Sequence, residues 1–347
     1  MLTGKENYYR AIMHGSPEWV PVQLHCPFDC LHEQDEGKKS RIVEMSRQFP
    51  NDLLKLEPVF HYVQPPAKVD GVTRWVDHWG TGWADDGNGA KTEFHPLEAG
   101  YELMDSYPFP DPHEPEIFVA AERALAQRGD RYVLAPVWFT LFERMWMLRG
   151  FDNMLLDPLV NENDFFYLQD IVLGFALGMI DEWLRRGVDG VFFSDDWGSQ
   201  RGLLINPDDW RRYWKPAYEQ LFGRVRGGGA HVWMHLCGDI RAILPDLLEL
   251  GLDVLNPVQP QAMSIRELAR DFGGNVCFNG GVDVQGVLVA GTPAEVRAHV
   301  CELMNVFARS DGGYVLTTSH GIMPETPLDN IIALYETALG LCKPLGR

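Results

Sequence analysis

Basic residues, cysteines and long apolar stretches are all scarce in this sequence. Its 347 residues include 30 Lys and Arg against 49 Asp and Glu, which gives a formal charge of −19. An acidic chain repels nucleic-acid phosphates and anionic lipids, so we expect neither nucleic acid nor a membrane surface as a partner. The longest apolar run, residues 171–180, is far shorter than the ~20 residues that a membrane-crossing helix needs.

The cysteine content bears on the compartment. The chain has six cysteines, too few for its length to form a disulfide-based fold, and its amino-terminal segment lacks an apolar signal core. We therefore expect a cytoplasmic protein with free cysteines. Apolar residues make up 46% of the chain and charged residues 23%, which is typical of a folded protein with a large core.

Short β-branched or aromatic segments alternate with helical segments along most of the chain. Helix-start signals, a capping residue followed by proline, occur at Asn206, Thr292 and Thr326. A long amphipathic pattern predicts another helix over residues 164–186. Buried strands are predicted over eight segments: 20–25, 52–57, 131–139, 188–194, 231–235, 253–256, 275–279 and 313–318.

Eight alternating strands and helices fit either an open doubly wound sheet or a closed barrel. Polar side chains follow almost every predicted strand. In an open sheet most of these strand ends would lie far apart, whereas in a barrel they surround one opening. No Gly-x-Gly-x-x-Gly or phosphate-binding loop follows a predicted strand, which weakens the nucleotide-binding alternative. We therefore predict an α/β fold, a (β/α)₈ TIM barrel, with residues 1–347 as a single domain.

One segment interrupts this alternation. Residues 60–112 contain an alternating pattern around Trp75 and Trp79 that predicts antiparallel strands, followed by a proline-rich stretch. We predict an antiparallel insertion between strands 2 and 3 of the barrel. Its tryptophans, Trp83 among them, either line an apolar pocket or only pack the insertion onto the barrel, and the sequence leaves both open.

The sharpest local motif is His-x-Cys at the end of the fifth strand, formed by His235 and Cys237. Strand side chains alternate with a period of two, so these two side chains point the same way. Imidazole and thiolate together suit zinc. His320 follows the last strand and, in a barrel, lies at the same opening. Two histidines, one cysteine and an open fourth position form a catalytic zinc pattern, and the alternative is a set of packed core residues.

Several further motifs together resemble the uroporphyrinogen decarboxylase superfamily, and specifically its cobamide-dependent methyltransferase-like branch. The likeness extends over almost the whole chain. The motifs that carry it lie at residues 140–150, 195–205, 210–216, 235–239, 253–259, 279–283 and 321–327. The resemblance implies a (β/α)₈ barrel, in agreement with the independent count of eight strands.

The resemblance also implies a metal site. In the zinc methyltransferases of this family, a His-x-Cys after the fifth strand and a Cys after the last strand bind the metal. Here His235 and Cys237 match the first two ligands, whereas His320 stands where the coenzyme M enzymes have cysteine. Imidazole in place of thiolate leaves less electron density on zinc, which makes it a better Lewis acid and argues against a thiol acceptor.

The decarboxylases of the superfamily use several arginines for the substrate's carboxylates, including an early arginine-rich motif. This chain has no arginine in that region, around residues 23–29, and no clear counterpart of the catalytic aspartate near residues 55–58. A pocket without those cations cannot favourably bury an octacarboxylate. Porphyrinogen decarboxylation is therefore disfavoured.

Other polar residues at the predicted strand ends are candidates for catalysis or substrate binding. Of the adjacent Asp195 and Asp196, only one is expected to face the opening, as a base, a hydrogen-bond acceptor or a partner that orients a histidine; a helix cap is the alternative. Glu143 is predicted as a fourth ligand or a general acid, with a structural ion pair as the alternative. The residues predicted to shape the substrate pocket are His25, Gln200, Arg201, Asn256, Gln259, Asn279 and Asp283.

The cysteines outside this motif fall into two groups with different predicted roles. His25, Cys26 and Cys30 form a second potential ligand group after the first strand. Cys277, Cys301 and Cys342 are predicted to be core residues.

These observations predict a zinc-dependent methyltransferase that moves a methyl group from a methylated small molecule, a methoxylated aromatic by preference, to the cobalt of a corrinoid. A separate corrinoid protein is the expected partner, because no Asp-x-His-x-x-Gly signature is present. The alternatives are transfer from methyl-corrinoid to a thiol or folate, decarboxylation of a smaller substrate, and non-catalytic tetrapyrrole binding. The oligomeric state stays open, a homodimer included.

Overall fold

The computed structural model of the protein describes residues 2–24, 35–87 and 89–342. Its strands, in chain order, are β1 (Leu53–Lys55), β2 (Gln64–Val69), β3 (Val72–Val76), β4 (Gly82–Asp85), β5 (Ala90–Phe94), β6 (Tyr132–Val137), β7 (Gly190–Ser194), β8 (Gly198–Ser199), β9 (Gly202–Leu203), β10 (His231–His235), β11 (Val254–Val258), β12 (Cys277–Val282) and β13 (Tyr314–Thr318).

The α-helices are α1 (Gly4–Ile12), α2 (Glu36–Ser46), α3 (Val119–Leu125), α4 (Phe142–Arg149), α5 (Phe151–Val160), α6 (Glu162–Arg185), α7 (Pro207–Tyr213), α8 (Lys215–Gly227), α9 (Leu244–Leu250), α10 (Ile265–Phe272), α11 (Val287–Ala290), α12 (Pro293–Phe307) and α13 (Leu328–Cys342). Thr292 forms the predicted capping box at the start of α12. No helix in the described ranges combines the length and apolar character needed to span a membrane.

A curled parallel sheet organises the molecule. Seven strands pair in the order β1-β6-β7-β10-β11-β12-β13. They correspond to seven of the eight predicted strands, and the eighth segment contributes one parallel bridge, between Val22 and Leu316 of β13. The parallel α/β architecture predicted from the sequence is therefore confirmed. Among the described residues, no pairing is seen between the segment at 20–25 and β1, which would close the barrel.

The two faces of this sheet pack differently. The concave face holds a small buried cluster that includes Leu53, Leu134 and Trp233, against which Tyr8 and Ile12 of α1 pack. Backbone hydrogen bonds tie α1 to the segments that precede β6 and β13, so α1 lies at the amino ends of the strands. The convex face packs against the helices in the larger core. The carboxyl ends of the strands therefore remain available for a site.

The predicted insertion contains an antiparallel sheet of four strands in the order β2-β3-β4-β5. This sheet lies between β1 and β6 in sequence, as predicted, but its strands occupy only residues 64–94 of the predicted 60–112. A 3₁₀-helix, Tyr101–Ser106, follows it. Trp79, just after β3, is 2% exposed within the main core, so the insertion is anchored by a buried aromatic side chain.

The cysteines outside the His-x-Cys motif differ in burial. Cys277 is buried in the concave face, as predicted. Cys301 is exposed on α12, so its prediction as a core residue is wrong, because it falls on the outer face of an amphipathic helix. Cys26 and Cys30 lie outside the described residues.

Candidate metal centre and active-site cavity

Strand register brings three polar side chains together at the carboxyl ends. His235, the last residue of β10, pairs with Ser194 of β7 on one side and with Asn256 of β11 on the other. These side chains line a cavity of about 500 Å³. Its walls also include Glu143, Asp196 and the segment 317–322 after β13. The volume lies within the ~300–1,000 Å³ range of small-molecule sites.

The predicted trio of His235, Cys237 and His320 comes together, with His235 and His320 in the wall of this cavity and Cys237 beside them. One nitrogen or sulfur atom from each side chain lies within 4.8 Å of the others. Nε2 of His235 is 3.2 Å from Sγ of Cys237. His320 is the most exposed of the three, so the cluster is open toward the cavity.

A chain of amide hydrogen bonds fixes the orientation of His235. Nδ2 of Asn279 donates to the carbonyl oxygen of Val315 at 3.2 Å, which directs its Oδ1 toward Asn256. Nδ2 of Asn256 donates to Oδ1 of Asn279 at 2.7 Å. Oδ1 of Asn256 therefore faces His235 and accepts from its Nδ1, also at 2.7 Å. Nδ1 therefore carries the proton, and the lone pair of Nε2 faces Cys237, as in a histidine that binds a metal.

The turn after β10 places Cys237. Its backbone N–H donates to Oδ1 of Asp196 at 2.7 Å, and the N–H of Gly238 donates to Oε1 of Gln259 at 2.8 Å. Gly238 has a φ of +82°, and a Cβ there would come within 2.3 Å of the backbone of Gly198. Only glycine fits this turn.

The pKa shifts of His235 and Cys237 show how this cluster would respond to a cation. Burial lowers the pKa of His235, so its imidazole is neutral at pH 7. Burial, and secondly the charge of Asp196, raise the pKa of the Cys237 thiol. Oδ1 of Asp196 lies 3.8 Å from Nε2 of His235. An electron-rich cluster of this kind is stabilised by a positive ion, which would convert the thiol to the thiolate.

The donor set fits a single zinc ion. In a tetrahedral site with Zn–N bonds of ~2.0–2.1 Å and Zn–S bonds of ~2.3 Å, neighbouring ligand atoms lie roughly 3.3–3.6 Å apart. The His235–Cys237 separation is 3.2 Å, and His320 lies within 4.8 Å of both. Two histidines and a cysteine leave the fourth position for substrate or water.

The adjacent aspartates have different positions. Asp196 lines the cavity. Asp195 is fully buried, and its carboxylate accepts the N–H groups of Leu141, Phe142 and Glu143 at 2.7–3.1 Å and the hydroxyl of Tyr218. Asp195 therefore holds the first turn of α4 and does not line the cavity.

Glu143, in that first turn, points into the cavity. Its Oε2 accepts a hydrogen bond from Oγ of Ser194 at 3.0 Å. Burial, together with the charges of Asp195 and Asp196, raises its pKa well above the ordinary range. The pKa of Asp195 is raised to about 6 by burial, against the opposing effect of its hydrogen bonds. The raised pKa favours the protonated form of Glu143, which is the form that can donate a proton.

The other predicted pocket residues divide into four groups. Gln259 and Asn279 do not line the cavity, but their hydrogen bonds to Gly238 and Asn256 hold the residues of the cluster in position. Asp283 is buried and accepts the N–H groups at the start of α11, which makes it a helix cap. Gln200 and Arg201 are exposed and do not line the cavity. His25 lies outside the described residues.

Lys55, Trp138 and Ser194 also line the cavity, and none of them is among the residues predicted from the sequence. Each stands at or just after the carboxyl end of a strand. Projecting the period-two pattern of β1, β6 and β7 to their final inward positions would have found them.

Parallel strands alternating with helices, and a polar cavity at the carboxyl ends, define a TIM-barrel-like α/β protein. A methyltransferase of known structure from Methanosarcina mazei shares this fold, with a TM-score of 0.69 over 97% of this chain and 98% of that chain, at 17% sequence identity.

The sequence matches narrow the class further. The family model for uroporphyrinogen decarboxylase (URO-D) matches residues 104–340, and the chain belongs to this family. Uroporphyrinogen decarboxylase from Thermus thermophilus is 31% identical over 44% of this chain and 41% of its own length. The methylcobamide:CoM methyltransferase MtaA from Methanosarcina barkeri is 26% identical over 48% of this chain and 45% of its own length. The chain thus spans less than half the length of these curated relatives.

Proposed function

We propose that the protein is a zinc-dependent methyltransferase that demethylates a small molecule, a methoxylated aromatic by preference, and passes the methyl group to the corrinoid of a separate protein. The observation that carries the proposal is the convergence of His235, Cys237 and His320, with the lone pair of His235 already directed at the thiol. The similarity to a methylcobamide:CoM methyltransferase supports the same reaction class.

The cavity walls suit an aromatic ether better than a porphyrinogen. Trp138, Phe139, Phe192 and Ile322 provide apolar surface beside the ligand cluster. Within the described part of the chain, no arginine lines this cavity. Lys55 is the one lysine among the described residues of the wall, so a substrate with many carboxylates would lose far more hydration than a single ammonium group offsets, whereas an uncharged ether would not.

The division of labour in the site follows from its geometry. His235, Cys237 and His320 would hold the metal, which supplies Lewis acidity toward the ether oxygen. The electron pair of the broken C–O bond would stay on oxygen, and cobalt(I) of the partner's corrinoid would supply the electron pair for the new bond to the methyl group. Glu143, whose pKa is raised by burial, delivers a proton to the departing oxygen and is reprotonated from solvent. Asn256 maintains the orientation of His235.

A reducing, cytoplasmic setting is part of the proposal, because it keeps Cys237 available as a ligand. The partner is a corrinoid protein, and the site needs one side of the cavity open to receive it. The exposed position of His320 is consistent with approach from that side.

Elemental analysis tests the metal centre directly. We expect about one zinc per purified chain, and its loss in a Cys237→Ser, His320→Ala double variant, because only one ligand of the trio then remains. The matched control is Cys301→Ser, His113→Ala, which removes an exposed cysteine and an exposed histidine far from the cluster in sequence. The control should keep its zinc.

Activity is measured with chemically reduced free cobalamin as methyl acceptor and methoxybenzenes as donors. We expect methylcobalamin to form with the zinc-loaded protein and not with the double variant. A metal-free protein that retains full demethylation would disprove the mechanism. Methyl transfer only from methylcobalamin to an added thiol or folate would instead establish the opposite direction.

A further inference from the structure

A second cavity, of about 320 Å³, lies between the antiparallel sheet β2–β5 and the helix α6. Aromatic rings are prominent in its walls and include those of Phe60, Trp75, Trp83, Phe139 and Phe175. A dry apolar cavity of about 150 Å³ is enough to bind benzene. This one therefore has room for a substituted monocyclic ring.

The charged groups of this cavity compensate one another. Arg144, which is 3% exposed, forms an ion pair with Oδ2 of Asp77 at 2.9 Å. Oδ1 of Asp77 accepts the N–H groups of Trp79 and Thr81, and the indole of Trp83 also donates to this carboxylate. No net charge is left over for a ligand, so an ionic ligand would be buried without a counter-ion.

The imidazole of His78 is available in the wall for a hydrogen bond to a ligand. His78 stacks on Phe60 with 3.8 Å between ring centroids. Burial, and secondly the charge of Arg144, lower its pKa to about 3, so the imidazole is neutral. Among the described residues, no hydrogen bond to either of its ring nitrogens is found, which leaves one donor and one acceptor for a ligand.

The wall toward the first cavity has an unusual backbone conformation. Trp138 and Phe139 line both cavities. Phe139 has a φ of +52°, which bulky residues rarely adopt, and its ring lies 5.9 Å from that of Trp83 and 5.4 Å from the guanidinium of Arg144. Such conformations cluster where a binding site requires a particular wall.

We propose that this cavity is a second small-molecule site, which binds an uncharged monocyclic aromatic compound carrying one hydroxyl or ether oxygen. The rings supply stacking surface, His78 hydrogen-bonds the single oxygen, and the compensated ion pair excludes charged ligands. The site does not involve the His235–Cys237–His320 cluster, so it stands independently of the proposed methyl transfer.

Binding of phenol, measured by calorimetry and by ¹⁹F NMR with 4-fluorophenol, tests the proposal on the full chain. We expect saturable binding of phenol and at least tenfold weaker binding of benzoate, since the carboxylate lacks a counter-ion. His78→Phe keeps the ring that stacks on Phe60 but removes the hydrogen bond, and should weaken phenol binding about three- to tenfold. His61→Phe, at an exposed position, is the matched control and should bind as the wild type does.

Two further variants locate the site. Ala176→Phe, on the α6 wall, should abolish phenol binding by filling the cavity. The Cys237→Ser, His320→Ala variant should retain it. Loss of binding in that variant with full binding in His78→Phe would place phenol in the metal cavity and overturn the proposal. Absence of saturation, or equal affinity for benzoate, would overturn it as well. If Ala176→Phe fails to fold, the phenol affinities of His78→Phe and His61→Phe still test the proposal, because equal affinities would overturn it.

Discussion

Glu143 and Asp195 show how burial and hydrogen bonding together set the pKa of a carboxyl group. Asp195 and Glu143 are neighbours in space, yet one accepts several N–H groups and the other accepts a single hydroxyl. Hydrogen bonds lower the pKa of a carboxyl group and burial raises it. For Glu143, burial outweighs its single hydrogen bond and raises the pKa well above the ordinary range, as the proposed role of general acid requires.

We predict that Glu143→Gln lowers kcat for demethylation about 10²–10⁴-fold and leaves zinc content unchanged. In the wild type, kcat should fall as pH rises through the pKa of Glu143, because the acid form is lost above that pKa. That pKa is raised, so the fall begins well above the range of an ordinary glutamate. The variant should lack this limb of the pH–rate profile. Loss of zinc from the variant would show instead that Glu143 is a metal ligand.

At the scale of elements, Asp195 links β7 to two helices. Its carboxylate accepts the first N–H groups of α4, and it also accepts the hydroxyl of Tyr218 in α8. The helix that carries Glu143 therefore begins at a fixed point relative to the strand end. This capping role was one of two alternatives that the sequence left open.

We predict that Asp195→Ala lowers the free energy of unfolding by about 2–4 kcal/mol, because buried donors lose their acceptor. Urea unfolding measures the change. Asp208→Ala provides the control, since that aspartate lies in the first turn of α7 with its side chain 86% exposed. Equal stability of the two variants would contradict the assigned role.

At the scale of the whole molecule, a buried ion pair joins the antiparallel insertion to helix α4, which follows strand β6 of the parallel sheet. Asp77 follows β3, and Arg144 belongs to α4. Both lie in the wall of the aromatic cavity. The insertion is thus part of the packed structure on this side, whereas the assignment of all 347 residues to one domain stays a prediction.

We predict that Arg144→Met destabilises the protein by about 3–5 kcal/mol, since Asp77 is then left buried without its counter-ion. The control is Arg74→Met, which removes an ion pair to Glu93 whose side chains are 50% and 47% exposed, and which should leave stability unchanged within error. Thermal unfolding followed by circular dichroism measures both. An equally small effect of Arg144→Met would mean that the stability of the insertion does not depend on the ion pair between Arg144 and Asp77.

The sequence by itself determined the alternating α/β order, the family, the position of the insertion and the three candidate ligands. Each of these depends on local patterns: the period of two that aligns His235 with Cys237, the capping box at Thr292, and the motifs shared with the family. Such patterns can be recognised from the sequence alone because they involve residues only a few positions apart.

Only the tertiary structure decided which polar residues act together. Asn256 and Asn279 orient His235 across three strands, Asp195 caps a helix from another part of the chain, and Asp283 lies away from the cavity. The aromatic cavity also exists only where the insertion meets α6. Burial, and the pKa values that follow from it, depend on neighbours that are distant in sequence, and so no spacing of residues along the chain could have assigned them.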